Sequence, residues 1–223
     1  MGLTHGVTTK WQATKGVVQN GLVLNVDAAV KESYDSGTTW YDLVKNNNGS
    51  IVNGPVYDKE KGGKFILDGT NDYISFGQTS VSVQGPATID VWASWSATNG
   101  NRNLASLTSS AKTQFGTRTN GVVWRQGGNT LVTYTTPTVD QLANWIVTVD
   151  GSNLNVYIDG SLDNSTTSAG TQTGTNASFW LGTYNGMSEL FQGSIYCARL
   201  YNRVLSASEA AQNFNVTRHR FGV

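Results

Sequence analysis

GSIYCARLYNRVLSASEAAQNF, Gly193 to Phe214, is the stretch whose reading decides the fold. Its first half has the pattern of a strand. Strict alternation sets Ile195, Cys197 and Arg199 on one face and Tyr196, Ala198 and Leu200 on the other. Its second half has the pattern of a short helix. Ser206 stands where an N-cap belongs and Glu209 follows three residues later, which together make an S-x-x-E capping box. The helix is expected to run from about Ser206 to Phe214. A strand that feeds one capped helix, after a sequence that otherwise reads as strands, is a specific layout.

Working outward, the same alternation recurs. Leu22 to Val26 is a short apolar run. Gly63 to Leu67 and Tyr73 to Phe76 flank the turn Asp68-Gly69-Thr70-Asn71-Asp72. Along Ile89 to Trp95, one face carries Ile89, Val91, Ala93 and Trp95, and the other Asp90, Trp92 and Ser94. Val122 to Trp124, Thr130 to Tyr134, Trp145 to Val149, Leu154 to Ile158, Phe179 to Leu181 and Ser194 to Leu200 follow the rule. Asp150-Gly151-Ser152-Asn153 and Asp159-Gly160 are hairpin turns. Short strands at such regular spacing, bounded by Gly, Asn, Asp and Ser, describe an all-β chain. The expected architecture is an antiparallel β-sandwich of jelly-roll type with one short C-terminal helix. Residues 1–20 are polar and aperiodic and read as an N-terminal arm, 21–216 as the domain, and 217–223 as a basic C-terminal tail.

Composition narrows the partners. Among 223 residues, 15 are basic and 15 acidic, so no general electrostatic pull toward nucleic acid or an anionic membrane is expected. Cys197 is the sole cysteine, which rules out an internal disulfide and reads as a small buried apolar side chain. No stretch is apolar for long enough to cross a bilayer as a helix. No basic segment followed by an apolar run opens the sequence, giving the expectation of no secretory signal and of synthesis in a host cytoplasm.

Four stretches carry a resemblance: GLVLNVDAAVKESYDSGTTWYDLVKNNNGSIVNGPVY at Gly21 to Tyr57, FILDGTNDYISFG at Phe65 to Gly77, NWIVTVDGSNLNVYIDGSLD at Asn144 to Asp163, and the closing strand and helix. Together they resemble laminin-G-like domains of the concanavalin-A-like jelly rolls. The Gly-Thr-Thr-Trp-Tyr-Asp-Leu core of the first stretch, with the Arg-Phe-Gly-Val end, looks like versions in structural proteins of tailed bacteriophages. That likeness implies a non-enzymatic virion surface protein, a capsid decoration or fibre-associated module. It would be present in multiple copies and dock on capsid or fibre subunits. The alternative it implies is a carbohydrate-binding adhesin for host surface polysaccharide. A glycoside hydrolase is the third reading. Hydrolases of this family carry E-x-D-x-E on one strand, a spacing that sets carboxylates on one face. This sequence lacks the motif, and its best-placed strand acid is Asp90.

Several residues are candidates for a site, each with a plainer alternative. Trp92, Trp124 with Arg125, Tyr134 and Tyr184 can stack on sugar rings, or can fill the space between sheets. Trp40, Trp95, Trp145 and Trp180 read as core. Asp68, Asn71 and Asp72 offer oxygen ligands to calcium, the one cofactor considered. Alternatively, Asp68 and Asn71 hydrogen-bond their own turn. Trp11, Arg218, His219 and Arg220 are the candidates for docking on a partner. His5 and His219 are the only histidines, so no triad or zinc spacing lies within the domain.

Overall fold

The structure, a computed structural model, describes residues 15–79, 81, 86–108, 112–118, 121–126, 129–150, 153–167, 176–186 and 188–223. The side chains of 112, 118, 121–126 and 129–134 lie outside that description. Two antiparallel sheets face each other. The first holds β1 (Leu22–Asp27), β4 (Val56–Asp58), β5 (Lys64–Asp68), β7 (Ala87–Trp95), β12 (Leu142–Val149), β13 (Asn153–Ile158), β14 (Ser161–Thr167) and β16 (Gln192–Tyr201). Its order is β14-β13-β12-β7-β16-β5-β4, with β1 pairing beside β16. The second holds β2 (Thr39–Trp40), β3 (Gly49–Val52), β6 (Tyr73–Gln78), β8 (Arg102–Thr108), β9 (Lys112–Arg118), β10 (Gly121–Gln126), β11 (Asn129–Tyr134) and β15 (Ser178–Leu181). Its order is β11-β10-β9-β8-β15-β6-β3-β2. The expected β-sandwich is therefore observed.

Apolar residues from the inner faces seal the two sheets together. Trp95 stands edge-on to Trp145 at 4.8 Å and to Phe191 at 5.2 Å, and Trp40 edge-on to Phe65 at 4.8 Å. These tilted contacts suit the ring quadrupole and add to the burial itself. Trp40, Trp95 and Trp145 are core, as their sequence positions indicate.

The middle strands of the first sheet are covered on their other face too. All nine residues of β7 are buried. The covering elements are α1 (Ala207–Thr217) and the residues after it. The predicted capping box is present: the Glu209 N–H donates to Ser206 Oγ at 3.3 Å, and the Ser206 N–H donates to the Glu209 carboxylate at 2.9 Å. Arg203 grips the same carboxylate with two nitrogens, at 2.8 and 2.6 Å. Between α1 and the sheet lies a buried polar joint. Asp90 accepts from Asn144 Nδ2 at 2.7 Å, from Arg199 at 3.2 Å and from Asn213 Nδ2 at 3.0 Å. A buried charge needs such partners, since desolvation otherwise outweighs its attraction.

Three expectations are corrected. Alternation along β16 breaks at a bulge between Ile195 and Cys197. Ile195 joins Ala198 and Leu200 in the core, while Tyr196 and Cys197 lie together under the tail. The bulge inserts one residue and so resets which face the following side chains take. The arm does not reach residue 20, because Val17 and Val18 are buried and the Val18 N–H donates to Asn213 Oδ1 at 2.9 Å. The basic tail is not loose. Phe221 stacks on Trp92 with centroids 4.2 Å apart, and Arg220 donates to Asp27 at 2.5 Å and to the carbonyls of Lys61 and Gly63. Buried Cys197 has its thiol pushed up to about 12 by desolvation, so it stays protonated.

Two outcomes are expected. Phe221→Ala opens the space over Trp92 and should cost about 3 kcal/mol in urea unfolding, as for other buried aromatics. The Arg203 hydrogen bonds hold Glu209 down to about 2 in the folded chain, below its ordinary 4.5. That contribution is complete above pH 4.5 and lost as pH falls toward 2. The acid limb of a stability–pH curve should therefore be shallower in Glu209→Gln than in the parent.

Candidate functional site

The middle strands of the first sheet are covered, whereas on the outer face of the second sheet Ser50, Ser75 and Trp180 reach solvent. Its register lays one row across the strands. Thr39 pairs with Ser50, Ser50 with Ser75, Ser75 with Trp180, Trp180 with Ser106, and Ser106 with Gln114. Directly opposed residues share a face, so this row is polar with one large aromatic at its centre. Trp180 is half-buried, not core as its sequence position indicated. Phe179 and Leu181 on either side of it point inward and are buried. Its indole N–H donates to Thr108 Oγ1 at 2.8 Å, which fixes the ring, and Tyr73 packs beside it at 5.8 Å.

The connection from Leu181 to Gln192 folds over part of this face. Ser106 Oγ donates to the Thr183 carbonyl at 2.9 Å, and the Tyr184 N–H donates to the Ser188 carbonyl at 3.0 Å. Gly186 is required here. Its φ is +78°, and an added Cβ would stand 3.2 Å from the Trp180 ring and 3.3 Å from the Tyr73 ring. At the far end of the connection, the Glu189 carboxylate accepts from Gln114 Nε2 at 2.8 Å and from Asn103 Nδ2. The Glu189 carbonyl accepts from the Asn103 N–H at 2.7 Å. Asn185 Oδ1 is buried in this connection with no hydrogen-bond partner among the described residues. Two aromatic rings on β6 and β15 thus share a face with a carboxylate held by side chains of β8 and β9. Such a surface suits a ring with an apolar face and a hydroxyl rim, because one part stacks while the others hydrogen-bond.

Of the residues singled out in the sequence, only Tyr184 falls in this connection, where it is half-buried. Trp124 and Arg125 lie on β10, opposite Phe115 and Gln114 in register, and Tyr134 lies on β11 opposite Val122. The side chains of these three lie outside the described residues. Trp92 cannot stack on a sugar. It is fully buried on the helix side, stacked on Phe214 and Phe221, with its indole N–H donating to Thr217 Oγ1 at 2.9 Å. Asp90 is sealed in the polar joint and has no access to a substrate. Trp11 lies outside the described residues. Arg220 is taken by its own domain, Arg218 lies over the Phe214 ring at 5.7 Å, and His219 is exposed.

The acidic turn uses its own carboxylates. Asp68 Oδ1 accepts from the N–H groups of Thr70 at 2.7 Å and Asn71 at 3.3 Å, and these bonds hold its pKa below the ordinary value. Asp72 Oδ2 accepts from the Asp68 N–H at 3.1 Å, and burial raises its pKa. Among the described residues no group of three His, Cys, Asp or Glu side chains converges on a metal position. The arrangement at Asp68, Asn71 and Asp72 is that of a turn bonding its own backbone.

A family model described as the concanavalin A-like lectin/glucanases superfamily, Laminin_G_3, matches residues 68–211, more than half of the chain. The chain belongs to this superfamily. No curated protein sequence matches it. Among solved structures it is similar to domain 4 of AbnA, a GH43 extracellular arabinanase from Geobacillus stearothermophilus, in complex with arabinotriose. The TM-score is 0.68 at 19% identity, over 86% of this chain and 97% of that one. It is also similar to Trypanosoma rangeli sialidase, with TM-score 0.64 and 16% identity, over 89% of this chain and 33% of that one. A third similar structure is the binding domain of Paraclostridial Mosquitocidal Protein 1, with TM-score 0.67 and 15% identity, over 87% of this chain and 52% of that one. The chain thus spans about a third of the sialidase and about half of the binding domain.

At these identities the likeness carries the fold. It nonetheless corrects one expectation, that the chain is not an enzyme. The same fold occurs within an arabinanase and within sialidases, so a missing E-x-D-x-E strand does not set this chain apart from enzymes. The narrower likeness to bacteriophage structural proteins has no counterpart in the matched family or in these structures.

Gly186→Ala tests how the connection sits on the two rings. The left-handed backbone and the close approach should together cost about 1–2 kcal/mol. Acrylamide should then quench tryptophan fluorescence more strongly, as the turn lifts from Trp180.

Proposed function

We propose that this domain binds carbohydrate on the outer face of its second sheet, with Trp180 as the stacking ring and Glu189 as the principal hydrogen-bond acceptor. The observation that carries the reading is their combination on one face. Trp180 is half-buried and fixed by Thr108, and a carboxylate is fixed by Asn103 and Gln114 of the next two strands, β8 and β9. A sugar offers apolar C–H groups to the indole and hydroxyl donors to the carboxylate. Because both groups are held before the ligand arrives, little side-chain ordering opposes binding. Two similar structures support the reading by what their names state: one is an arabinanase domain in complex with arabinotriose, the other a binding domain. Host surface polysaccharide is a ligand of this class. Capsid or fibre subunits and a virion surface have no counterpart in the matched family or in these similar structures.

The test is isothermal titration calorimetry against arabinotriose and a panel of neutral and acidic oligosaccharides. At least one should bind. Trp180→Ala should weaken it about tenfold, ~1.4 kcal/mol, with the near-ultraviolet circular dichroism of the core retained. Binding that survives Trp180→Ala unchanged, or no binding across the panel, contradicts the reading.

A further inference from the structure

A second feature lies away from the outer face. At the rim of the sandwich, residues 135–141 between β11 and β12 meet the Asp159-Gly160 turn between β13 and β14. Between them is a pocket of about 130 Å³. That is the scale of one small ring rather than of a chain. Trp145, Ile158 and Pro137 supply apolar walls, and Thr138, Gln141 and Asp159 supply hydrogen-bonding groups.

The pocket is held in shape from several sides. Asp159 and Gly160 have φ of +50° and +75°, the backbone of a two-residue hairpin turn. The turn is pinned to β12 twice: the Asp159 N–H donates to the Asn144 carbonyl at 3.0 Å, and the Asn144 N–H donates to Asp159 Oδ1 at 2.8 Å. Phe214 of α1 packs against Gly160 from behind. On the opposite wall, Thr135 is tied to Asp163 through its N–H at 2.9 Å and its hydroxyl at 2.6 Å. The Asp140 N–H donates to the Trp95 carbonyl at 2.7 Å, which anchors the connection to the core.

Within that frame Asp159 spends one oxygen on Asn144, and its other oxygen has no partner among the described residues. A carboxylate accepts about four hydrogen bonds, so most of this capacity remains. Burial also raises the Asp159 pKa, so hydroxyl donors from a ligand would stabilise the charged form. The other polar side chains that line the pocket, Thr135, Thr136, Thr138 and Gln141, are uncharged, while the carboxylates of the frame are engaged elsewhere, Asp163 by Thr135 and Asp140 by Ser96. An apolar wall with an indole, one strong acceptor and neutral donors and acceptors match a hydroxylated ring.

We propose that this rim pocket is a second sugar site, taking a single neutral ring, with Asp159 as its specificity-determining acceptor. It stands on its own residues and does not need the outer face to bind.

The test is a two-dimensional ¹H–¹⁵N spectrum of the whole chain, titrated separately with L-arabinose, D-galactose, D-glucose and N-acetylglucosamine. Tetramethylammonium serves as the cationic control. The expected result is saturable shifts at the Asn144 and Asp159 amides with at least one sugar. They should persist in Trp180→Ala and need about tenfold more sugar in Asp159→Asn. Asparagine tolerates the left-handed turn and still accepts from the Asn144 N–H, so that variant keeps the fold. Three outcomes overturn the proposal: no shift at these amides with any sugar up to its solubility limit, shifts that Asp159→Asn leaves unchanged, or shifts with tetramethylammonium alone. Loss of the rim shifts in Trp180→Ala would assign them to the outer face and overturn it too. Failure of the outer-face reading with rim shifts intact would leave this site standing.

Discussion

The burial of β7 on both of its faces sets the terms for the rest of this molecule. One side of Ala87–Trp95 packs against the second sheet, and the other lies under α1 and the tail. A strand so enclosed cannot carry Asp90 unless the charge is matched inside. Arg199 supplies the opposite charge, and Asn144 and Asn213 supply hydrogen bonds from two different elements. Removing one partner of such a set leaves an uncompensated buried charge, an effect of about 3–5 kcal/mol. The joint therefore holds helix to sheet in one arrangement. Its functional consequence is topological: with the middle of the first sheet sealed, Trp92 and Asp90 are closed to a ligand, and the accessible ring fixed on a sheet is Trp180 on the second.

Much of this was legible locally. Ser206 and Glu209 announce a helix start because the capping box needs only four consecutive residues. Asp159-Gly160 announces a hairpin for the same reason. The alternation of Ile89 to Trp95 is equally plain, but it says only that a strand has two faces. That both faces are covered depends on Phe221 reaching Trp92 from 129 positions away in the chain, which no local pattern records. The sequence therefore leaves Trp92 between stacking on a sugar and packing inside, and the fold encloses it. The bulge in β16 misled in another way, since one inserted residue exchanges the faces of everything beyond it.

Trp180 was misread in the opposite sense. Phe179-Trp180-Leu181 is uniformly apolar, which suggests burial throughout. Period two nevertheless sends the middle residue to the other face, and Trp is the member of the three with an N–H to satisfy there. That signal is local and present in the sequence. Glu189, Asn103 and Gln114 left no comparable trace. Glu189 comes from a connection 86 and 75 residues away from Asn103 and Gln114, and only the fold brings them together.

Within this superfamily the sandwich is a frame, and chemistry resides in what its outer faces and rims carry. Here the carried groups are half-buried rings, fixed amides and single carboxylates, on a chain with 15 basic and 15 acidic residues. Recognition must then come from stacking and hydrogen bonding, with little long-range attraction to guide a ligand. The most direct measurement is a crystal structure of the chain grown with its best-binding oligosaccharide. The account predicts a sugar ring lying on Trp180 with a hydroxyl within hydrogen-bonding distance of Glu189. A sugar seated over α1 and the tail, with the outer face of the second sheet empty, would contradict it.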